Sequence, residues 1–279
     1  MDGYLSWGEK IITDFCDENI DSLYNEGYVF TRLGRGVMTQ TRSLRIDLDK
    51  FELNSENRRV LKKIEGLNLN IVAIPYKQYT WQIGKMAKDF YDTKFGKGIF
   101  SANKIKELLT DAGKSNFNTL FVFQMSSRGG SEADDVVIPT LLKQTNGIAT
   151  SYADGRTPRN DESTLGYAIC YANSKIIHYS YPFYQLSRFS FTGKSRILDS
   201  DKTESGQPNT YNLIPNMGMG MMIMAIMAAK QNGKKYIYLG SAQRPTDTYK
   251  LQFNGLEWFN GEQWKNNIDK LKVILKTKN

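Results

Sequence analysis

Thr210-Tyr211-Asn212-Leu213-Ile214, then Pro215-Asn216-Met217-Gly218-Met219-Gly220, then an apolar run to residue 231 and Lys235-Tyr236-Ile237-Tyr238-Leu239: this stretch decides the fold. Residues 210–214 are strand formers, 215–220 read as a tight turn, and 221–231 are apolar over a length that fits a buried helix. Asn232-Gly233 closes the helix, and 235–239 form a second apolar strand. The unit is therefore strand, glycine turn, helix, strand. Gly218 and Gly220 sit where a strand becomes a helix, a place that can offer unpaired backbone N–H groups to an anion. Glycine also serves plain turns, so both readings stand. Met221-Met222-Ile223-Met224-Ala225-Ile226-Met227 reads as core filling.

Upstream of this unit, residues 117–125, 147–152, 165–171 and 175–184 read as strands of an antiparallel sheet, with Asn173-Ser174 as the last turn. Polar loops lie at 126–130 and 154–163, and a longer one at 193–209. In the first part of the chain, Ile11, Ile12, Phe15, Ile20 and Leu23 trace a helical stripe over 7–26, stopped by Gly27. Strands follow at 28–33 and 43–48, where Leu44, Ile46 and Leu48 alternate with Arg45 and Asp47. Ser55 is placed as the N-cap of a helix that carries Arg58, Arg59, Lys62 and Lys63 beside Val60, Leu61 and Ile64. A strand at 69–76 and helices at 79–95 and 102–112 complete this part, the last behind the cap Ser101. The change of character divides the chain into a basic α/β half, 1–115, and a second half, 116–279.

The chain has 279 residues, with 40% hydrophobic and 12% aromatic, enough to bury a core. Two cysteines (Cys16, Cys170) and one histidine (His178) exclude a disulfide scaffold, a zinc cluster and a Ser-His-Asp site with a spare histidine. The cysteines read as buried small residues, His178 as a packed, hydrogen-bonded side chain, and no metal site is expected. The longest apolar run, 217–229, is short of the roughly 20 residues of a membrane span, and the first residues lack a signal-peptide pattern. A cytoplasmic protein with no membrane partner is the expectation.

Net charge is +8, unevenly spread. Residues 28–63 hold nine basic side chains against four acidic ones, and the last fifty residues are also basic. Such clustering suits a phosphate-bearing partner, and equally a solvated face without one. Thr192-Gly193-Lys194-Ser195 and Gly113-Lys114-Ser115 are not nucleotide-binding P-loops, because Arg188 and Leu108 stand where the leading glycine belongs.

Four stretches, in order, resemble the aminoacyl-tRNA–protein transferases, the arginyl- and leucyl-transferases that extend protein amino termini. Glu26-Gly27-Tyr28 with Leu44-Arg45-Ile46-Asp47-Leu48-Asp49-Lys50-Phe51 is similar to that family's opening strand. Ser55-Glu56-Asn57-Arg58-Arg59-Val60-Leu61-Lys62-Lys63 resembles its "SQRRVLKK" helix. Phe90-Tyr91-Asp92-Thr93-Lys94-Phe95 with Gly98 is similar to a third motif that carries a histidine missing here. Lys235-Tyr236-Ile237-Tyr238-Leu239-Gly240 and then Tyr249-Lys250-Leu251-Gln252-Phe253, with Gly255-Leu256-Glu257, resembles its ending. Two departures stand out. Gly36-Val37-Met38-Thr39-Gln40 replaces a cysteine cluster, so no iron–sulfur site is expected, and Ser241-Ala242 replaces an aromatic pair.

The resemblance implies a GNAT-like fold: a mixed, largely antiparallel α+β sheet flanked by helices, with the α/β amino-terminal half making a tandem GNAT-like arrangement. It implies an acyltransferase that moves an amino acid from aminoacyl-tRNA to an amine, a protein or peptide amino terminus, with no resident cofactor. Tyr249 and Lys250 are carried over as catalytic candidates, and Tyr238 with them, one strand away. Asn216, Gly218, Gly220 and Gly240 would hold the donor. Arg45, Arg58, Arg59, Lys62 and Lys63 would meet tRNA phosphates. Two alternatives stay open: an acyl-CoA-dependent N-acyltransferase of the same fold, and a non-catalytic RNA-binding module.

Overall fold

The computed structural model describes residues 5–125, 164–186 and 216–277. The strands expected at 147–152 and 210–214, the polar loops at 126–130, 154–163 and 193–209, and the Thr192–Ser195 motif lie outside them. Among the described residues, eleven strands and six α-helices follow in the order β1 (Gly8–Ile11), α1 (Asp17–Asn25), β2 (Tyr28–Phe30), β3 (Val37–Gln40), β4 (Ser43–Asp47), α2 (Ser55–Lys63), β5 (Leu67–Ala73), α3 (Trp81–Phe95), α4 (Ala102–Thr110), β6 (Thr119–Met125), β7 (Thr164–Ala172), β8 (Ile176–Tyr184), α5 (Met217–Gln231), β9 (Tyr236–Ser241), β10 (Leu256–Phe259), β11 (Trp264–Lys265) and α6 (Ile268–Lys276). A 3-10 segment, Pro245–Gln252, lies between β9 and β10.

One eight-stranded sheet runs β11-β10-β4-β9-β8-β7-β6-β5, with β4 and β5 drawn from residues 1–115 and the other six from beyond 116. Every neighbouring pair is antiparallel except β8 and β9. The protein is thus mixed α+β, with a large, mostly antiparallel sheet between helices, consistent with a GNAT-like fold. A small antiparallel sheet, β1-β3-β2, stands apart from it.

Both faces of the large sheet are covered. Leu44, Ile46, Ile177 and Ile237 point to one core, shared with α2, α5 and α6. Leu120, Val122, Ile176 and Tyr238 point to the other, shared with α1, α3 and α4. Double cover explains β4, where all five residues are buried, so the alternation of Leu44 and Ile46 with Arg45 and Asp47 does not divide core from solvent. It explains α5 too, whose apolar residues are buried nearly all round.

Three local expectations are corrected. Residues 7–26 are not one helix: β1 pairs with β3, and α1 begins only at Asp17, where Asp17 and Glu18 suit a helix start. Only Ile20 and Leu23 of the supposed stripe are buried, while Ile11 is 72% exposed. The cap of α2 is Asn54 rather than Ser55. Its side chain accepts from Asn57 N–H at 2.8 Å, and that of Asn57 accepts from Asn54 N–H. Cys16 is exposed, its thiol donating to Asp14 at 3.2 Å; Cys170 is buried as expected. No helix among the described residues is long and apolar enough to cross a membrane.

Candidate functional site where two parallel strands part

The parallel strands β8 and β9 pair only from Ile176 to His178, against Tyr236 to Tyr238. Beyond that, β8 continues to Tyr184 and β9 to Ser241 without pairing to each other. Each carries a bulge at this level. On β8, Tyr179 faces Cys170 and Tyr181 faces Ile169, so Ser180 is an extra residue. On β9, Tyr238 faces Arg45 and Ser241 faces Ser43, so two residues oppose Leu44. One of the two is Gly240, with φ of +73° and no atom of the described residues beyond its chain neighbours within 4 Å of where a Cβ would stand. Past this level the two strands no longer hydrogen-bond to each other, and no other described strand lies between them.

α5 reaches this opening with its amino-terminal end. Asn216 is left-handed (φ 65°) and Met217 already begins the helix, so Gly218 and Gly220 lie in its first turn rather than in a loop before it. Their smallness has a packing cause. A Cβ on Gly218 would stand 3.1 Å from the Tyr184 ring, and one on Gly220 would stand 2.5 Å from Ile64 Cδ1 of α2. Gly220 N–H is also taken, donating to Asn216 O at 2.8 Å. The anion-binding turn is therefore corrected to a helix start, and only the preceding amides remain outside the α-helical ladder.

The 3-10 segment crosses the same end of the strands. Lys250 Nζ donates to Ser241 O at 3.0 Å, and burial disfavours its ammonium form, pushing the pKa down. Tyr249 beside it is 47% exposed. Asp247 accepts from Gln243 and Arg244 N–H at 2.8 and 2.9 Å, which pins the start of the segment. Arg244 lies over the Phe95 ring, bringing the end of α3 to the rim. Tyr179, at the bulge, has a buried hydroxyl with no hydrogen-bond partner among the described residues.

Arg58, Arg59, Lys62 and Lys63 share the exposed side of α2, whose far end packs on α5 through Ile64 and Gly220. Arg59 is held by a two-pronged pair with Glu56, at 2.7 and 2.6 Å. The four are neighbours at three- and four-residue spacing.

Arg45 does not belong with them. It is 7% exposed, its Nε donates to Glu257 at 2.8 Å, its Nη1 to Asn25 at 3.0 Å, and its guanidinium lies 4.0 Å from both the Tyr236 and Trp264 rings. A side chain so enclosed is not a phosphate contact. Tyr238 lies in the same closed cluster, fully buried, edge-on to Tyr24 at 4.8 Å, with burial pushing its hydroxyl up to about 12. Of the catalytic candidates, then, Tyr249 and Lys250 stand at the opening together with Gly240, while Tyr238 is below it.

No family model matches the chain. No curated protein matches it. Among solved structures it is similar to L-PGS from Bacillus licheniformis, at 13% identity and a TM-score of 0.36. It is also similar to the C-terminal domain of a putative lysylphosphatidylglycerol synthetase from Agrobacterium fabrum, at 12% identity and a TM-score of 0.35. Each covers 81% of this chain, which spans about half (52%) of theirs. A likeness at this level assigns this chain no activity.

His178 behaves as a packed residue. It is 2% exposed, Nδ1 lies 2.9 Å from the Tyr24 hydroxyl and Nε2 lies 2.8 Å from Ser180 Oγ. Burial, with the nearby Lys250 charge adding to it, holds its pKa down at about 3. Ser180 itself, at the mouth of the opening, escaped the sequence reading. Its one signal there was the polar interruption of an otherwise aromatic strand.

Proposed function

We propose that this protein is an aminoacyltransferase that moves an amino acid from aminoacyl-tRNA to an amine, a peptide or protein amino terminus. The observation that carries the reading is the parting of β8 and β9 beneath Lys250, beside a helix start and the four basic side chains of α2. The resemblance of the α2 and Tyr249-Lys250 segments to a tRNA-using family supports the same donor.

An aminoacyl ester arrives activated, so positioning and charge stabilisation can supply most of the rate. The acceptor nitrogen attacks the ester carbonyl, the C–N bond forms, and negative charge develops on the carbonyl oxygen. Collapse breaks the ester C–O bond and releases the ribose hydroxyl, which takes the proton the amine gives up. Lys250 has N–H protons beyond the one it gives to Ser241 O, and the first amides of α5 lie outside its helical ladder; both are donors for the developing charge. The α2 cations meet the phosphates of the donor stem.

Incubation with a pool of labelled aminoacyl-tRNAs and a peptide library, read by mass spectrometry, tests the reaction. Charge reversal, Arg58→Glu with Arg59→Glu, tests the donor. The variant is expected to lose at least tenfold in retention of charged tRNA at moderate salt, with an unchanged melting temperature. Equal retention sinks the tRNA assignment. Stabilisation by acetyl-CoA in a thermal shift would move the reading to the acyl-CoA alternative, which the helix start beside the opening also suits. Label found on phosphatidylglycerol vesicles instead of peptides would overturn the acceptor and keep the donor.

A further inference from the structure

The bulge that parts the strands also ends a buried line of hydrogen bonds. Ser180, the extra residue of β8, is partly buried and contacts His178 Nε2 at 2.8 Å; His178 Nδ1 contacts the Tyr24 hydroxyl at 2.9 Å. Tyr24 is fully buried, and its oxygen already accepts the backbone N–H of Phe30 at 3.4 Å. Among the described residues the phenolic proton has no acceptor besides Nδ1, so it belongs there, which puts the imidazole proton on Nε2, facing Ser180. Ser180 Oγ therefore accepts from the ring, and its own proton must point elsewhere. No other partner for that hydroxyl occurs among the described residues. On the neighbouring strand, at the same level, lies Gly240, whose absent side chain would meet none of the described residues beyond its chain neighbours.

We propose that Ser180 is a catalytic donor of the transfer site: its O–H, pinned outward by the Nε2–H of His178, meets the aminoacyl carbonyl oxygen as charge develops on it. This rests on the reading of the opening as an aminoacyl-transfer site. His178 and Tyr24 are positioning residues. In the step, the carbonyl π pair moves onto oxygen as the C–N bond forms, and Ser180 holds that oxyanion by a hydrogen bond without surrendering its proton. Re-formation of the carbonyl expels the ribose oxygen with the ester pair. Serine and histidine end as they began. A nucleophilic serine would need the opposite tautomer, with Nε2 bare to take its proton. Around the ring stand Tyr24 from α1, Tyr171 from β7 and Tyr238 from β9, with Phe117 beside it and the Lys250 charge beyond; none is a carboxylate that would stabilise an imidazolium.

The chain holds one histidine, so a nitrogen-labelled histidine sample gives a single imidazole signal pair. The expected spectrum is a neutral ring protonated on Nε2, unchanged from pH 8 to 5. A proton on Nδ1, or a titration midpoint near 6.5, overturns the proposal whatever the activity. In the transfer assay, Ser180→Ala is expected to lower kcat about 100-fold with KM unchanged, the scale of a lost oxyanion donor. His178→Gln, which keeps an N–H donor toward Ser180, is expected to retain most of kcat. Wild-type kcat in Ser180→Ala, or an aminoacyl adduct on Ser180, overturns the proposal. A wild-type chain that transfers nothing overturns the reading of the opening and, with it, the carbonyl as partner. The nitrogen spectrum still reports separately whether the hydroxyl is pinned.

Discussion

The same two strands, β8 and β9, make opposite environments along their length. Where they pair, at Ile176 to His178 and Tyr236 to Tyr238, the neighbouring polar groups are closed off: Arg45 is bonded to Glu257 and Asn25 and enclosed by two rings. Where they part, past Ser180 and Gly240, the two strands no longer pair with each other, and a largely buried lysine has a backbone carbonyl as its hydrogen-bond partner. The lower half is built for stability. The upper half holds a buried lysine amine and, among the described residues, a Tyr179 hydroxyl without a partner, which costs stability and suits a ligand.

The sharpest way to break this contrast is at the closed end. Arg45→Ala is expected to destabilise the fold by about 3 kcal/mol in urea denaturation, because it leaves Glu257 with only the more distant Lys50, at 3.9 Å, as a cation among the described residues and empties a space between two rings. A loss under about 0.5 kcal/mol would mean the cluster is no more than a surface pair. Next comes the helix contact that frames the opening. Gly220→Leu is expected to cost about 1–3 kcal/mol through overpacking against Ile64, with part recovered by adding Ile64→Ala. No recovery in the double variant would mean the strain lies elsewhere.

Third is the pH response of His178, which amounts to about 1–2 kcal/mol between pH 6.5 and 5. Its folded pKa, about 3, lies below the ordinary 6.5, so the unfolded chain binds the proton first as pH falls. Its stabilising contribution is full above pH 6.5 and is lost progressively as pH drops toward 3, at up to about 1.4 kcal/mol per pH unit. Unpaired carboxylates titrate below about pH 4.5, so the range from 6.5 to 5 isolates the histidine. His178→Gln should flatten the melting temperature there; an unchanged slope would mean that His178 is not the group responsible.

Much of the fold was legible in residues. The α4 helix begins behind Ser101 as its spacing predicts, and β8 and α3 fall within two residues of their expected bounds. The basic stripe of α2 is exposed as read. The site was legible only in part, because what opens it is a pair of bulges. An extra residue at Ser180 or Gly240 changes no hydrophobic pattern, and its effect depends on which strands lie beside it. Arg45 misled for a related reason: one arginine among many basic residues looks solvated until Tyr236 and Trp264, far away in sequence, close over it. Gly218 and Gly220 look like a loop, yet their need for smallness comes from Tyr184 and Ile64.

Lys250 tests the central claim most directly, since the closed half predicts stability effects and the open half predicts function. Replacement Lys250→Met removes a buried charge with little packing loss, so the melting temperature should stay level or rise slightly. In the labelled aminoacyl-tRNA assay, wild-type protein should move label onto peptide amines, and the folded Lys250→Met variant should do so about 100-fold more slowly. Equal rates for the two proteins, or no transfer by the wild type, would contradict the account.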